Sequence, residues 1–111
     1  MVNQRSIKRG EIWIVKLDPT VGSEIQKTRP CVVISPPELH DHLRTVIVAP
    51  MTTKSRTAPY RVSVVFSQKK GLVLLDQIRT IDKTRLVKKL GAVPANTLSI
   101  ALRTLQEVFA A

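Results

Sequence analysis

Arg61-Val62-Ser63-Val64-Val65-Phe66, then Gln68-Lys69-Lys70-Gly71, then Leu72-Val73-Leu74-Leu75 is the stretch that decides the fold class. Its first part alternates with period two and sends Val62, Val64 and Phe66 to one face, the pattern of a half-buried strand. The polar segment ending in glycine reads as a hairpin turn, so 72–75 returns antiparallel and continues through 78–81. Upstream, 45–49 is a third strand closed by Pro50. Residues 31–35 are a second strand, entered through Arg29-Pro30 and ended by Pro36-Pro37. Residues 11–17 are a first strand, apolar on both faces, which Asp18-Pro19-Thr20 interrupts. One helical turn fits 38–43, and the polar stretches 21–28 and 52–59 read as exposed loops. Downstream, Asp82 caps a short turn before a strand at 87–90. Leu98, Ala101, Leu102, Leu105, Val108 and Phe109 then fall at helical spacing, with Asn96 or Thr97 as N-cap. Many short strands and one helix with a single apolar stripe predict a mainly β fold with a C-terminal helix. The expected form is a small, strongly bent antiparallel sheet or barrel.

The chain has 111 residues, which bounds it to one domain, 1–111. Eighteen Lys and Arg against eight Asp and Glu leave a net charge of +10, an attractive field for nucleic acid or for an acidic partner protein. Aromatic residues make up only 4% of the chain, too few for a broad base-stacking platform. The single cysteine, Cys31, lies in an apolar run and reads as a small buried thiol. The N-terminal residues lack the apolar core of a signal peptide and no segment reaches membrane-spanning length, so a cytoplasmic protein is expected.

The chemistry is read largely by elimination. The only histidines, His40 and His42, fall in what reads as a surface turn with no third metal ligand nearby. No Walker loop, dinucleotide fingerprint or nucleophile elbow is present, so neither metal nor cofactor is expected. An acid and an arginine remain at the first loop, in Gly22-Ser23-Glu24 and Arg29-Pro30. Cleaving RNA through its own 2′-OH requires a group that takes the 2′ proton, a cation that neutralises the phosphorane and a group that helps the 5′ oxygen leave. Glu24 can do the first, and the guanidinium of Arg29, which forks onto phosphate oxygens, the second. Spacing alone fits a solvated surface ion pair better.

Gly10-Glu11-Ile12-Trp13, Leu17-Asp18-Pro19-Thr20, Gly22-Ser23-Glu24, Thr28-Arg29-Pro30 and Asp76-Gln77-Ile78-Arg79-Thr80-Ile81-Asp82 occur here in a particular order. In that order they resemble the MazF/Kid/PemK toxin family over nearly the whole chain. The resemblance implies an SH3-like barrel of the CcdB/PemK type, a homodimer, and cleavage of single-stranded mRNA at short sequences to leave a cyclic phosphate and a 5′ hydroxyl. It also implies inhibition by an acidic antitoxin whose disordered tail fills the RNA groove, as in type II toxin–antitoxin pairs. By matching motif, Arg29 stabilises the transferring phosphate, Thr52 hydrogen-bonds it, and Glu24 acts as base or orients Arg29. Without the resemblance, Thr52 reads as turn chemistry after Pro50.

Some members carry a His after the loop glycine and an Arg two places before the late Asp. Here those positions are Ser23 and Leu74, so a His-Arg-Asp mechanism does not transfer, and Asp76 is expected to hold the groove backbone or read a base. Ser23, Lys27, Thr53, Lys54, Arg56, Asp76, Gln77 and Arg79 are the candidates for RNA contact. Two readings compete: a CcdB-like toxin that poisons gyrase without catalysis, and a basic RNA-binding barrel. Holding Glu24, Arg29 and Thr52 together separates the enzyme from both, since fold alone does not.

Overall fold

Alternation within the first strand shows how the sheet comes to be covered on both faces. In β1 (Glu11–Lys16) Ile12 points to one side, while Trp13 and Val15 point to the other. The computed structural model describes residues 6–17, 28–54 and 56–111. Six further strands follow: β2 (Thr28–Val33), β3 (Thr45–Thr52), β4 (Arg61–Phe66), β5 (Lys69–Leu74), β6 (Arg79–Asp82) and β7 (Leu86–Ala92). One helical turn, α1 (Pro37–His40), links β2 to β3, and the long helix α2 (Ala95–Val108) ends the fold. The strands form one antiparallel sheet in the order β4-β5-β3-β2-β1-β7, with β6 also paired to β3. One face carries Ile12, Val32, Ala49, Met51, Val62, Val64 and Val73 under Ala101 and Leu105 of α2. The opposite face packs Trp13, Val15, Cys31, Val33, Val46 and Val48 with Ile7, Ile81 and Leu86. The mainly β fold with one C-terminal helix is the one the sequence predicts.

β3 runs further than expected. Pro50 does not close it but sits inside it, opposite Cys31 of β2. A proline in a central strand removes a ladder donor. Here it stands where β3 changes partners, after β6 has paired Thr45 to Val48 and before β5 pairs Met51 and Thr52. The missing N–H therefore falls between two ladders.

The β4–β5 turn also differs from the expectation. Ser67 and Gln68, with φ of 52° and 62°, form a two-residue loop of the I′ kind, and Lys69 to Gly71 already belong to β5. Gly71 is needed for another reason: a Cβ there would lie 2.8 Å from the carbonyl oxygen of Thr52. The expected strand from 72 to 81 is broken by a 3-10 turn, Leu75–Gln77, which releases β6 to pair with β3 rather than prolong β5. Asp82 caps the next turn as expected, accepting from the Thr84 amide at 2.9 Å.

Helix α2 begins at Ala95 behind Pro94, so neither Asn96 nor Thr97 is its cap; proline's fixed φ starts it instead. Leu98 lies on Gly10, whose φ of +91° and lack of a side chain allow that approach. Phe109 falls past the last turn and is 73% exposed, so it does not join the stripe. His40 is fully buried, not on a surface turn. Its Nε2 lies 2.6 Å from the Ile7 carbonyl and its Nδ1 2.8 Å from Ser35 Oγ. A carbonyl only accepts, so Nε2 is the donor to Ile7, and Nδ1 pairs with the Ser35 hydroxyl. His42 is exposed.

Glu11 explains part of the Gly-Glu-Ile-Trp motif. Its buried carboxylate accepts from the Lys8 amide at 3.0 Å and from Trp13 Nε1 at 3.1 Å, and pairs with Lys89 Nζ at 2.9 Å. Burial pushes its pKa up. The Lys8 amide, Lys89 and the indole together outweigh that and hold it below the ordinary 4.5. A depressed folded pKa gives stability that is present above the unfolded value and lost as pH falls through the folded one. Glu11→Gln should therefore cost about 2 kcal/mol at neutral pH, the scale of a hydrogen bond to a charged group. Urea titrations should show the gap closing as pH falls below about 4.5; a gap independent of pH would mean packing, not charge, holds Glu11. Gly71→Ala should destabilise by about 1–3 kcal/mol, the usual overpacking penalty, and shift the amide resonances of Thr52 and Thr53. Unchanged resonances would show that β5 yields instead.

Candidate functional site

Arg29 and Thr52 stand at the ends of neighbouring strands. The β2–β3 register pairs Cys31 with Pro50 and Val33 with Val48. Continuing it outward brings Arg29 opposite Thr52. Both line a cleft of about 290 Å³ together with Pro30, Met51, Thr53, Val64, Phe66, Ser67, Lys69 and Gly71. Cleft walls are therefore apolar on one side and cationic at Arg29 and Lys69.

The Nε of Arg29 is buried and has no hydrogen-bond acceptor among the described residues. An unsatisfied buried donor costs about 1–3 kcal/mol, and a charged one more, so this nitrogen stands out among the described residues. Thr52 is buried, and its Oγ1 accepts from the Lys54 amide at 3.1 Å. That is the turn chemistry expected of a Thr after Pro50. The bond fixes the hydroxyl and leaves its proton free to donate. Gly71 belongs to the cleft because only a residue without a Cβ lets β5 come against the Thr52 carbonyl.

The remaining candidates divide by location. Thr53, Lys54 and Arg56 are exposed on the loop that follows β3. Arg79 donates to the Leu17 carbonyl at 3.1 Å and so ties β6 to the end of β1. Asp76 is held by Arg61 in a two-bond ion pair. Gln77 is half-buried and already engaged within the chain. Glu24, Ser23 and Lys27 lie outside the described residues.

Cys31 is fully buried, and burial pushes its thiol up to about 12 although Arg79 pulls the other way, so it is no nucleophile near neutral pH. Among the described residues no group of three His, Cys, Asp or Glu side chains is placed to hold a metal. Phe66, Lys69 and Arg61 are missing from the sequence-based set. Placing the β4–β5 turn at Ser67-Gln68 pairs Arg61 with Leu74 and brings it within two residues of Asp76, which is the signal that reveals it.

Residues 8–109 match the PemK-like, MazF-like toxin family of type II toxin–antitoxin systems. The chain is 39% identical over 115 residues to the Endoribonuclease PemK of Escherichia coli, covering 97% of this chain and 86% of that one. Among solved structures, a mycobacterial endoribonuclease in complex with its cognate antitoxin superposes with a TM-score of 0.77 at 25% identity, over 92% of this chain and 93% of that one. MazF from Deinococcus radiodurans superposes with a TM-score of 0.81 at 24% identity, over 92% and 94% of the two chains, and speaks for the fold alone. The match spans the cleft strands as well as the sheet that carries them, and the chain belongs to the PemK-like, MazF-like toxin family.

Proposed function

We propose that this chain is a metal-independent endoribonuclease that cuts single-stranded mRNA and serves as the cytoplasmic toxin of a type II pair. The observation that carries the reading is the buried Nε of Arg29, without an acceptor among the described residues, on a side chain that lines the same cleft as Thr52. A non-bridging phosphate oxygen is the acceptor that suits both. As the 2′ oxygen bonds to phosphorus and the bond to O5′ breaks, charge builds on the equatorial oxygens. A donor already in place there stabilises the transition state more than the ground state. Glu24 is assigned to take the 2′ proton or to orient Arg29, and the leaving O5′ takes up a proton from solvent. The products are a 2′,3′-cyclic phosphate and a 5′ hydroxyl.

Lys54, Arg56 and Lys69 suit the flanking phosphates, since in single-stranded sites a cationic groove tracks the backbone. The apolar wall of Met51, Val64 and Phe66 suits the face of a base. The same basic surface suits an acidic antitoxin with an extended tail, bound to a toxin homodimer, and the antitoxin-bound mycobacterial neighbour supports such a partner. A gyrase-poisoning toxin has no use for a phosphate donor buried beside a fixed hydroxyl, and the match to a named endoribonuclease favours the RNA-cutting reading.

Arg29→Ala should lower kcat by about 10²-fold or more, the scale for one preorganised donor. Affinity for a non-cleavable RNA should fall far less. Equal losses in the two would reduce Arg29 to a backbone anchor. Wild-type cleavage should persist in excess EDTA; loss on chelation, restored by Mg²⁺ or Zn²⁺, would overturn the mechanism. Lys54→Ala should weaken RNA binding and flatten its salt dependence by roughly 0.7 log units per log unit of salt, the value for one single-strand phosphate contact; an unchanged slope would place Lys54 off the path of the RNA.

A further inference from the structure

All three nitrogens of the Arg61 guanidinium donate to groups of the protein. Its Nε and Nη2 donate to the two carboxylate oxygens of Asp76 at 3.1 and 3.0 Å, and its Nη1 donates to the Arg56 carbonyl at 3.1 Å. One planar group thus joins the start of β4, the 3-10 turn after β5 and the loop that leaves Thr52. The backbone braces the same junction: the Arg61 amide donates to Ala58 O at 3.0 Å, and the Leu75 amide to Tyr60 O at 3.1 Å. The ion pair is partly exposed, 22% at Arg61 and 36% at Asp76, so it adds little to global stability. What it fixes is geometry, because a bidentate fork and a third bond from Nη1 to a different partner together restrain the orientation of the planar group.

Asp76 is spoken for. Both of its oxygens accept from Arg61, and that contact, first among its causes, holds its carboxyl below the usual aspartate range. It is a carboxylate near neutral pH with its best lone pairs occupied, a poor candidate for proton transfer or for reading a base edge. The anchored carbonyl of Arg56, by contrast, lies in the segment that bears Thr53, Lys54 and Arg56. That segment starts one residue after Thr52, which lines the same cleft as Arg29.

We propose that Arg61 is a positioning residue for RNA recognition: countered by Asp76, it holds the Arg56 carbonyl and with it residues 53–54 and 56–60 in register with Arg29 and Thr52. The assignment rests on the RNA-cutting reading, and it gives Asp76 a supporting place rather than a contact with substrate. Thr53, Lys54 and Arg56 then meet the RNA from fixed positions, and the loop's contribution to cut-site choice depends on a clamp on its far side. Arg29 sits on β2 and is not moved when the clamp opens, so binding and sequence preference suffer before the chemical step does.

The test compares Arg61→Leu, Asp76→Asn, the double variant and Arg61→Lys in the full-length protein. Cleavage sites are mapped on a long single-stranded RNA, and kcat and KM are measured on a short oligonucleotide. Arg61→Leu and Asp76→Asn should each raise KM by about tenfold and broaden the set of sites cut, with kcat within about threefold of wild type. The double variant should be no worse than either single one, because the two side chains act as a unit. Arg61→Lys keeps the charge without the fork and should fall between. A kcat loss of about 10²-fold in Asp76→Asn but not in Arg61→Leu would overturn the proposal and make Asp76 a group that acts on RNA. Lower melting temperatures with unchanged KM and unchanged sites would leave the pair merely structural and overturn it too. Amide exchange across 53–60, measured without RNA, separates this proposal from the reading beneath it. Arg61→Leu should speed exchange there at least about tenfold with the core strands unaffected, and unchanged exchange overturns the clamp. Wild-type protein that cuts no RNA overturns the ribonuclease reading alone.

Discussion

β3 belongs to two ladders at once, and the placement of the site follows from that constraint. Its first half pairs with β6 and β2, and its last two residues pair with β5. Pro50, without an N–H, marks the handover, and two residues later the strand ends in Thr52. A strand bonded on both sides cannot slide, since a one-residue slip would turn Val46 and Val48 out of one apolar layer and Ala49 and Met51 out of the other. Thr52 is therefore held by both cores. Arg29 gains the same precision from β2, whose register with β3 is fixed by the buried residues from Cys31 to Val33. The two groups meet because two strands that cannot move end together.

On this scaffold the cleft carries features that cost stability. A buried guanidinium nitrogen lacks an acceptor among the described residues, and Ser67 and Gln68 adopt a left-handed backbone that non-glycine residues rarely take. Polar groups elsewhere in the described structure are matched with care. Glu11 has three donors, His40 has a partner on each ring nitrogen, and the Asp76 carboxylate is covered by Arg61. Against that background, the proposed reading takes the unmatched donor, on a residue that lines the same cleft as Thr52, as the place where an anion completes the site.

Much of this was legible in the residues. Alternation at 61–66 and 11–17 placed strands correctly, and the stripe from Leu98 to Leu105 placed the helix. Arg29 and Thr52 were marked by motif and order. Failures came where a local rule met a non-local partner. Pro50 looked like a terminator because only the tertiary pairing of β3 shows the gap it fills. Gly71 looked like a turn residue, although its smallness serves the approach to Thr52. His40 looked solvated because its partner, the Ile7 carbonyl, lies 33 positions away. Arg61 gave no hint of its three bonds, since two of them reach a residue 15 positions on.

The central claim is that Arg29 and Thr52 serve a reaction in which the RNA supplies its own nucleophile. The most direct measurement replaces one ribose by 2′-deoxyribose, on the 5′ side of a mapped cut, and identifies the fragments by mass spectrometry. The account predicts that this bond becomes resistant, while the all-ribose RNA yields a 2′,3′-cyclic phosphate and a 5′ hydroxyl at the same bond. Continued cutting at the deoxy position, or fragments ending in a 3′ hydroxyl and a 5′ phosphate, would contradict it, because water would then be the attacking group.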